Sequence, residues 1–164
     1  MLAEGKEGNL RNQTAAFRPP PSQLIKFLYR TGLAALIGRL VLLLTTTGRK
    51  TGLARVTPLQ YEELEGALYV GSARGARADW FRNIVADPRV HVRIKSREFE
   101  AVAEPVTDPC RIADFLELRL RRHPRMIGAI LRSEGLPAPP TRAELEEYAL
   151  RSAMVIIRPK NQPP

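Results

Sequence analysis

Short runs of β-branched and other apolar residues, separated by glycines and charged links, dominate the middle of the chain. One run is closed by Gly48 and a second begins after Gly52, which is the pattern of a β-hairpin. Residues 90–94 and 98–104 alternate apolar and charged positions, which is typical of a hairpin with one buried face. The predicted strands are 41–47, 53–61, 67–73, 90–94, 98–104 and 154–158.

Helical spacing of apolar residues and suitable N-cap residues predict helices around these strands. Ser22, Asp79 and Asp108 each stand where a side-chain oxygen could cap the first turn of a helix. Strands joined by hairpins, with helices inserted at their ends, predict an α+β fold. We expect a small antiparallel barrel of about six strands, closed by the last strand, with peripheral helices. The predicted helices are 22–38, 80–86, 109–122, 126–131 and 141–150.

Length and composition agree with one folded domain. The chain has 164 residues, of which 44% are hydrophobic and 26% charged, as in an ordinary globular protein. Residues 1–21, which end in three prolines, predict a flexible arm, and residues 22–160 predict one domain. The single cysteine, Cys110, excludes an intrachain disulfide and is predicted to be a small buried hydrophobe.

The N-terminal residues do not resemble a secretory signal, because Glu4 and Glu7 precede any apolar stretch. The longest apolar run, 33–44, is interrupted by Gly38 and is shorter than the ~20 residues that a membrane-spanning helix needs. We therefore expect a cytoplasmic protein that starts near Met1. A peripheral position at the inner face of the membrane is the alternative.

Charge is distributed unevenly. The net charge is +9, and no acidic residue lies between Glu7 and Glu62. Such a segment attracts an anionic partner: nucleic acid, an anionic membrane surface or a phosphate-bearing small molecule. The amphipathic helix at 22–38 is predicted either to pack on the sheet or to contact anionic lipid through its basic side chains. The basic residues of the acid-free segment are Arg11, Arg18, Lys26, Arg30, Arg39, Arg49, Lys50 and Arg55.

Two glycine-containing basic loops follow neighbouring strands. The first, Gly48 to Gly52, offers backbone donors together with Arg49, Lys50 and Thr51, and Arg55 follows on the next strand. The second loop runs over 72–77. The two loops could converge on one anionic ligand, although a solvated turn explains the first loop equally well from its spacing alone.

Side chains for acid–base or nucleophilic catalysis are scarce. His91 alternates outward on a strand and His123 precedes a proline at a helix end, so neither is predicted to be catalytic. No metal site is expected from two histidines and scattered carboxylates. An anion-binding surface without catalytic side chains indicates that a bound cofactor supplies the chemistry.

Four sequence blocks in this order carry a resemblance to a known family. They are Leu-Thr-Thr-Thr-Gly-Arg-Lys-Thr-Gly at 44–52, Arg-Val-Thr-Pro-Leu at 55–59, Ser-Ala-Arg-Gly at 72–75, and Asp-Trp-Phe-Arg-Asn-Ile-Val-Ala-Asp-Pro-Arg-Val at 79–90. The chain resembles the deazaflavin-dependent nitroreductase family over about 22–106 and the final strand. The resemblance implies a flavin-reductase-like split β-barrel that uses the reduced deazaflavin coenzyme F420.

The resemblance also implies roles for individual residues. Basic side chains of the first block and the next strand match positions that hold the phosphate and the oligoglutamate tail of the coenzyme. The second loop matches the loop beside the deazaflavin ring, the strand after Arg55 matches the strand under that ring, and Trp80 and Asn83 match a buttressing helix. For Trp80, packing in the core is an equal alternative. The implied coenzyme-binding residues are Arg49, Lys50, Thr51, Arg55, Val56, Thr57, Pro58, Ser72, Ala73, Arg74, Gly75, Trp80 and Asn83.

The implied activity is hydride transfer from reduced F420 to a small organic acceptor, namely a quinone, an activated alkene or a nitro compound. Tyr148 is the candidate acceptor-contacting residue, because related nitro-reducing proteins place C-terminal tyrosines there. The alternatives are a split barrel that binds flavin mononucleotide and a cofactor-free basic module that binds nucleic acid or anionic membrane. Aromatic residues are only 6%, which disfavours nucleic acid. A homodimer is compatible with the resemblance.

Overall fold

The computed structural model describes residues 41–72 and 74–160. The predicted arm at 1–21, the predicted helix at 22–38 and Ala73 lie outside the described residues.

Seven antiparallel strands form one curled sheet in the order β2-β1-β5-β6-β7-β4-β3. All six expected strands are confirmed at nearly the predicted bounds. The seventh, β3, is three residues long and lies between the predicted strands 53–61 and 67–73. The strands are β1 Val41–Thr47, β2 Ala54–Gln60, β3 Glu62–Leu64, β4 Ala67–Ser72, β5 Arg89–Ile94, β6 Arg97–Val106 and β7 Ala153–Pro159.

In residues 41–72 and 74–160, four α-helices lie around the sheet, preceded by a 3₁₀ turn at Gly75–Arg77. No helix in the described part of the chain is long and apolar enough to cross a membrane. The predicted cap at Asp108 is confirmed, since its side chain accepts a hydrogen bond from the Arg111 amide. The structure adds a capping box between Thr141 and Glu144 at the start of the last helix. The helices are α1 Asp79–Ala86, α2 Pro109–Arg122, α3 Pro124–Ser133 and α4 Arg142–Ala149.

The sheet closes on itself because of one short connection. Strands β2 and β3 are the two edges of the sheet, yet only Tyr61 separates them in sequence. Because a single residue joins them, the end of β2 must lie next to the start of β3, and the seven strands curl until β2 approaches β4. The result is the split β-barrel with peripheral helices that the sequence predicted.

Alternating apolar residues of the strands fill the barrel. Leu42, Leu44, Val70, Val92 and Val155 are fully buried in this interior cluster, and Phe81 and Ile84 of α1 cap one end of it. A second cluster lies between α2 and the outer face of the sheet, and a third joins α2, α3 and α4. Helices α2, α3 and α4 therefore cover one outer face of the barrel, whereas α1 packs on the interior cluster.

Two local predictions are wrong. Ala78, not Asp79, is the N-cap of α1, and no side chain caps that helix, because the Asp79 carboxylate accepts a hydrogen bond from Arg49 instead. Cys110 is exposed rather than buried, since α2 turns its Ile112 and Phe115 face toward the sheet.

Candidate functional site

The first basic loop is a compact turn at the tip of the β1–β2 hairpin. The amides of Thr51 and Gly52 both donate to the Gly48 carbonyl, at 3.1 and 2.7 Å, and the Gly48 amide donates to Leu53 at 2.8 Å. Gly52 has φ +67°, which favours glycine. A β-carbon at position 48 would lie 2.9 Å from Thr51 Oγ1 and 3.1 Å from the Leu53 carbonyl oxygen, so a side chain there would displace its neighbours in the turn. The turn presents exposed Arg49 and Lys50 to solvent.

Arg49 joins this turn to helix α1. Its Nη1 donates to Asn83 Oδ1 at 3.1 Å, and its Nη2 donates to Asp79 Oδ1 at 2.9 Å. The Arg49 amide also donates to Asn83 Oδ1, at 3.1 Å. Asn83 is 4% exposed and donates through Nδ2 to Thr46 Oγ1 at 3.1 Å. One buried amide therefore fixes the orientation of both Arg49 and strand β1.

Electrostatics at the start of α1 favour an anion. The hydrogen bond from Arg49 and then its charge hold the pKa of the Asp79 carboxyl below its usual value, and the charges of Arg82 and Lys50 act in the same direction. Three cations thus surround one carboxylate, and a second anion near this place would still meet excess positive charge.

Strand β2 carries the next predicted residues along an edge of the sheet. Among the described strands it pairs with β1 alone, with Arg55 opposite Thr46 and Thr57 opposite Leu44. Val56 and Thr57 are half-buried and Pro58 is exposed. Proline fits here because an edge strand has backbone amides that the sheet does not use.

Arg55 differs from Arg49 in having no anionic partner. Its side chain is exposed and makes no hydrogen bond or ion pair with residues 41–72 or 74–160, while its stem packs beside Gly48. Arg55 is therefore a cation held next to the turn with its guanidinium open to a ligand.

In the second loop, Ser72 and Gly75 are each held by a close contact. Ser72 Oγ donates to the Gly75 carbonyl at 2.8 Å, and Gly75 has φ +56°. A β-carbon at Gly75 would overlap the carbonyl oxygen of Arg151, so only glycine fits against this neighbour. The side chains of Arg74 and Arg77 are exposed and form no ion pair within the described part of the chain.

Helix α1 contacts both loops. Only Ala78 separates the second loop from α1, and the first turn of α1 accepts hydrogen bonds from Arg49 of the first loop. The arrangement is a rim of arginines and a lysine around the start of α1, next to the exposed surface of β2. Such a rim can bind a phosphate or carboxylate chain.

Two predicted residues contribute mainly through packing. Trp80 is half-exposed, packs on the barrel core and lies edge-on to Phe81 at 6.1 Å between ring centroids. Tyr148 is 8% exposed within the cluster formed by α2, α3 and α4, with the Arg151 guanidinium 5.0 Å from its ring centroid. Burial is the main cause that raises the pKa of Tyr148, so its hydroxyl stays protonated at neutral pH.

Sequence reasoning missed the roles of Thr46 and Asp79. Both lie far along the chain from their partners: 37 residues separate Asn83 from Thr46, and 30 separate Asp79 from Arg49. The one available signal was the buried polar position in β1, since a threonine inside an apolar strand needs a hydrogen-bond partner.

Comparison with known proteins adds a family. The family model described as F420H2-dependent quinone reductase matches residues 29–125. The fold is similar to that of a conserved hypothetical protein from Mycobacterium tuberculosis, with 16% identity, a TM-score of 0.54 and coverage of 91% of this chain and 86% of that one. The heme storage protein HutZ from Vibrio cholerae is similar, with 16% identity, a TM-score of 0.52 and coverage of 85% and 90%. At these identities the structural matches establish the fold alone.

Proposed function

We propose, from the premise that the chain belongs to the F420H2-dependent quinone reductase family, that a quinone is its hydride acceptor. The protein is an F420-dependent oxidoreductase, and F420 is its cofactor. Among the three acceptor classes expected from the sequence, a quinone is the one that the family description names. An activated alkene or a nitro compound is the second candidate class.

The residues around the start of α1 fit the anionic part of this cofactor. The observation that carries the assignment is the exposed guanidinium of Arg55. Arg55 lies beside the glycine turn, and the arginine of that turn, Arg49, is already paired. We propose that Lys50, Arg55 and Arg74 hold the phosphate and the acidic tail, while Arg49 contributes charge and orients α1. The cofactor supplies the hydride when bound.

The half-buried surface of β2 and the Ser72–Gly75 loop would flank the ring of the cofactor. We propose that Val56, Thr57 and Pro58 form the surface on which the ring rests. Because Ser72 is hydrogen-bonded to Gly75 and Gly75 lies close to Arg151, these two loop residues would need no reorganisation on binding. The protein's contribution to the reaction is then orientation and exclusion of water, without proton transfer by a side chain.

Tyr148 would act on the acceptor side indirectly. Its ring is buried, but it lies one turn before Arg151, whose carbonyl is the close neighbour of Gly75. We propose that Tyr148 supports the wall of the acceptor pocket next to the second loop. The predicted homodimer, the cytoplasmic location and the membrane contact through 22–38 stay predictions.

Titration with the oxidised deazaflavin coenzyme tests the site. We expect Arg55→Ala to weaken coenzyme binding by about tenfold or more, because a charge-assisted contact with an anion is lost. Arg93→Ala is the matched control, since Arg93 pairs with Glu98 on the β5–β6 hairpin and is predicted to leave the affinity unchanged. Flavin mononucleotide, titrated in parallel, is expected not to bind.

Turnover with reduced F420 tests the acceptor. A quinone should be reduced faster than an activated alkene or a nitro compound at equal concentration. Equal coenzyme binding by wild type and Arg55→Ala would remove Arg55 from the site, and reduction of nitro compounds alone would overturn the quinone assignment.

A further inference from the structure

A buried carboxylate lies at the point where the barrel closes. Glu62, the first residue of β3, is 4% exposed. Its Oε1 lies 3.1 Å from His123 Nε2 and 3.5 Å from Arg119 Nε, and its Oε2 lies 3.5 Å from Arg122 Nη1. We call these four residues the seam cluster. The three basic members all come from the last turn of α2 and the residue after it.

Burying the charges of the seam cluster costs free energy, so the stability of this part of the fold is sensitive to the loss of any member. Arg119 is only 13% exposed, and burial lowers the pKa of its guanidinium while the Glu62 charge opposes that effect. Neither Glu62 Oε1 nor Arg119 Nε has an aligned hydrogen-bond partner among the described residues, and the attraction of opposite charges is the larger contribution of Glu62 to holding this pair. Removing one charge would leave the others unbalanced in a place with little water.

Arg119 and Arg122 also donate hydrogen bonds to the two edge strands of the sheet. Arg119 Nη2 donates to the side chain of Gln60, the last residue of β2, at 3.1 Å. Arg122 Nη1 donates to the carbonyl of Glu63 in β3 at 3.2 Å. The contacts therefore lie on either side of Tyr61, the single residue that joins the two edges, and they tie this joint to helix α2.

Strand β2 needs such an anchor more than any interior strand does. It has a hydrogen-bonded neighbour on one side only, and most of its residues are exposed or half-exposed. Its beginning is held by the glycine turn, and its end is held by the Gln60 contact and the seam cluster. Between these two anchors lie Arg55 to Pro58, the residues assigned to the coenzyme.

We propose that the seam cluster positions strand β2 for coenzyme binding. Glu62 is then a positioning residue that acts through the strand, without touching the coenzyme itself. This inference rests on the proposed function of β2 as the coenzyme strand. It predicts that a charge change at the joint alters coenzyme affinity although no member of the cluster belongs to the rim around α1.

The test combines amide hydrogen exchange with coenzyme titration in Glu62→Gln, which keeps the shape of the side chain and removes its charge. We expect amides of 54–60 that bond to β1 to exchange about tenfold faster, because the far end of the strand is released. We expect the affinity for the oxidised coenzyme to fall by about threefold to tenfold, because the strand is no longer held in the binding geometry. Arg122→Gln, which changes a half-exposed partner, should show smaller shifts in the same direction and replaces Glu62→Gln if that variant does not fold.

Glu104→Gln is the matched control, since Glu104 pairs with Arg111 and Arg158 away from the joint. It should leave both β2 exchange and coenzyme affinity at wild-type values. Unchanged β2 exchange in Glu62→Gln would overturn the positioning role, and so would faster exchange with unchanged affinity. Failure of the wild type to bind the coenzyme would instead overturn the site assignment, and the exchange data would still report on the joint.

Discussion

Strands β1 and β2 belong to one hairpin, yet they differ in nearly every respect. Strand β1 lies between two neighbours, β2 and β5, and four of its seven residues are buried. Strand β2 has none buried and pairs on one side only. Thr46 of β1 is hydrogen-bonded to a buried side chain, whereas Arg55 of β2 has no hydrogen-bond or ion-pair partner among the described residues.

The difference shows how one hairpin serves two purposes. Burial in β1 supplies stability through apolar area and one buried hydrogen bond, and exposure of β2 leaves its side chains available to a ligand. A substitution in β1 should therefore change the free energy of unfolding, while one in β2 should change the binding affinity. Substitutions in the two strands and in the residues that join them to α1 test whether stability and binding are separated in this way.

The largest effect is expected in β1. Leu44 is fully buried in the barrel, so Leu44→Ala should lower the free energy of unfolding by about 2–5 kcal/mol through lost burial and the cavity that remains. Leu59→Ala, at a half-buried position of β2, is the matched control and should lower the free energy of unfolding by clearly less. Urea denaturation measures both. An equal loss in the two variants would break the comparison.

Asn83→Ala acts on the turn that joins the two strands. The variant removes the acceptor for Arg49 and the donor to Thr46, and we expect about 1–3 kcal/mol of lost stability. Because Arg49 then loses its fixed orientation, coenzyme affinity should fall as well. Ser133→Ala, which removes an exposed hydrogen bond, controls for the substitution. Lost stability with unchanged affinity would make Arg49 a structural residue only.

Thr57→Val tests β2 alone. The change conserves volume and removes a hydroxyl from a half-exposed position, so the free energy of unfolding should change by less than about 0.5 kcal/mol. The coenzyme affinity should fall by about threefold if the hydroxyl contacts the ligand. Thr107→Val, on an exposed loop after β6, should alter neither quantity. A stability loss without a binding change would contradict the assigned role of this strand.

Asp79→Asn should give the smallest effect, and its sign depends on pH. The hydrogen bond and the charge of Arg49 lower the pKa of Asp79 in the folded state, so the carboxylate stabilises the fold at pH above its unfolded value of about 4. That contribution disappears as the pH falls through the lowered folded pKa. Wild type should therefore unfold at a slightly higher temperature than Asp79→Asn at neutral pH, and the two should converge in strong acid. A constant difference across thermal scans at all pH values would exclude this linkage.

Most of the sheet and helices could be predicted because each is specified locally. The β5–β6 hairpin is an example: the alternation of apolar and charged positions predicted its two strands, and the structure pairs Arg93 with Glu98 across them. Strand β3 was missed because three residues, two of them glutamates, carry no alternation that could be distinguished from a polar link.

The contacts that organise the candidate site could not be predicted, because they join residues far apart in sequence. Glu62 and Arg119 are 57 positions apart, and nothing in the local sequence around either residue indicates that they meet. The two basic loops were identified, but their connection through Asn83 depends on how α1 packs. The local sequence shows which residues are charged, whereas the tertiary structure determines which of these charges are paired.

The single-residue link at Tyr61 also limits how the length of the chain can change. Side chains alternate between the two faces of a strand, so deleting one residue there would shift β2 or β3 by one position and exchange their inward and outward side chains. In β2 the half-buried Leu59 would take the place of the exposed Gln60. Among homologous sequences we therefore expect insertions and deletions to be absent from 59–63 and to accumulate in surface turns such as the one near Lys95.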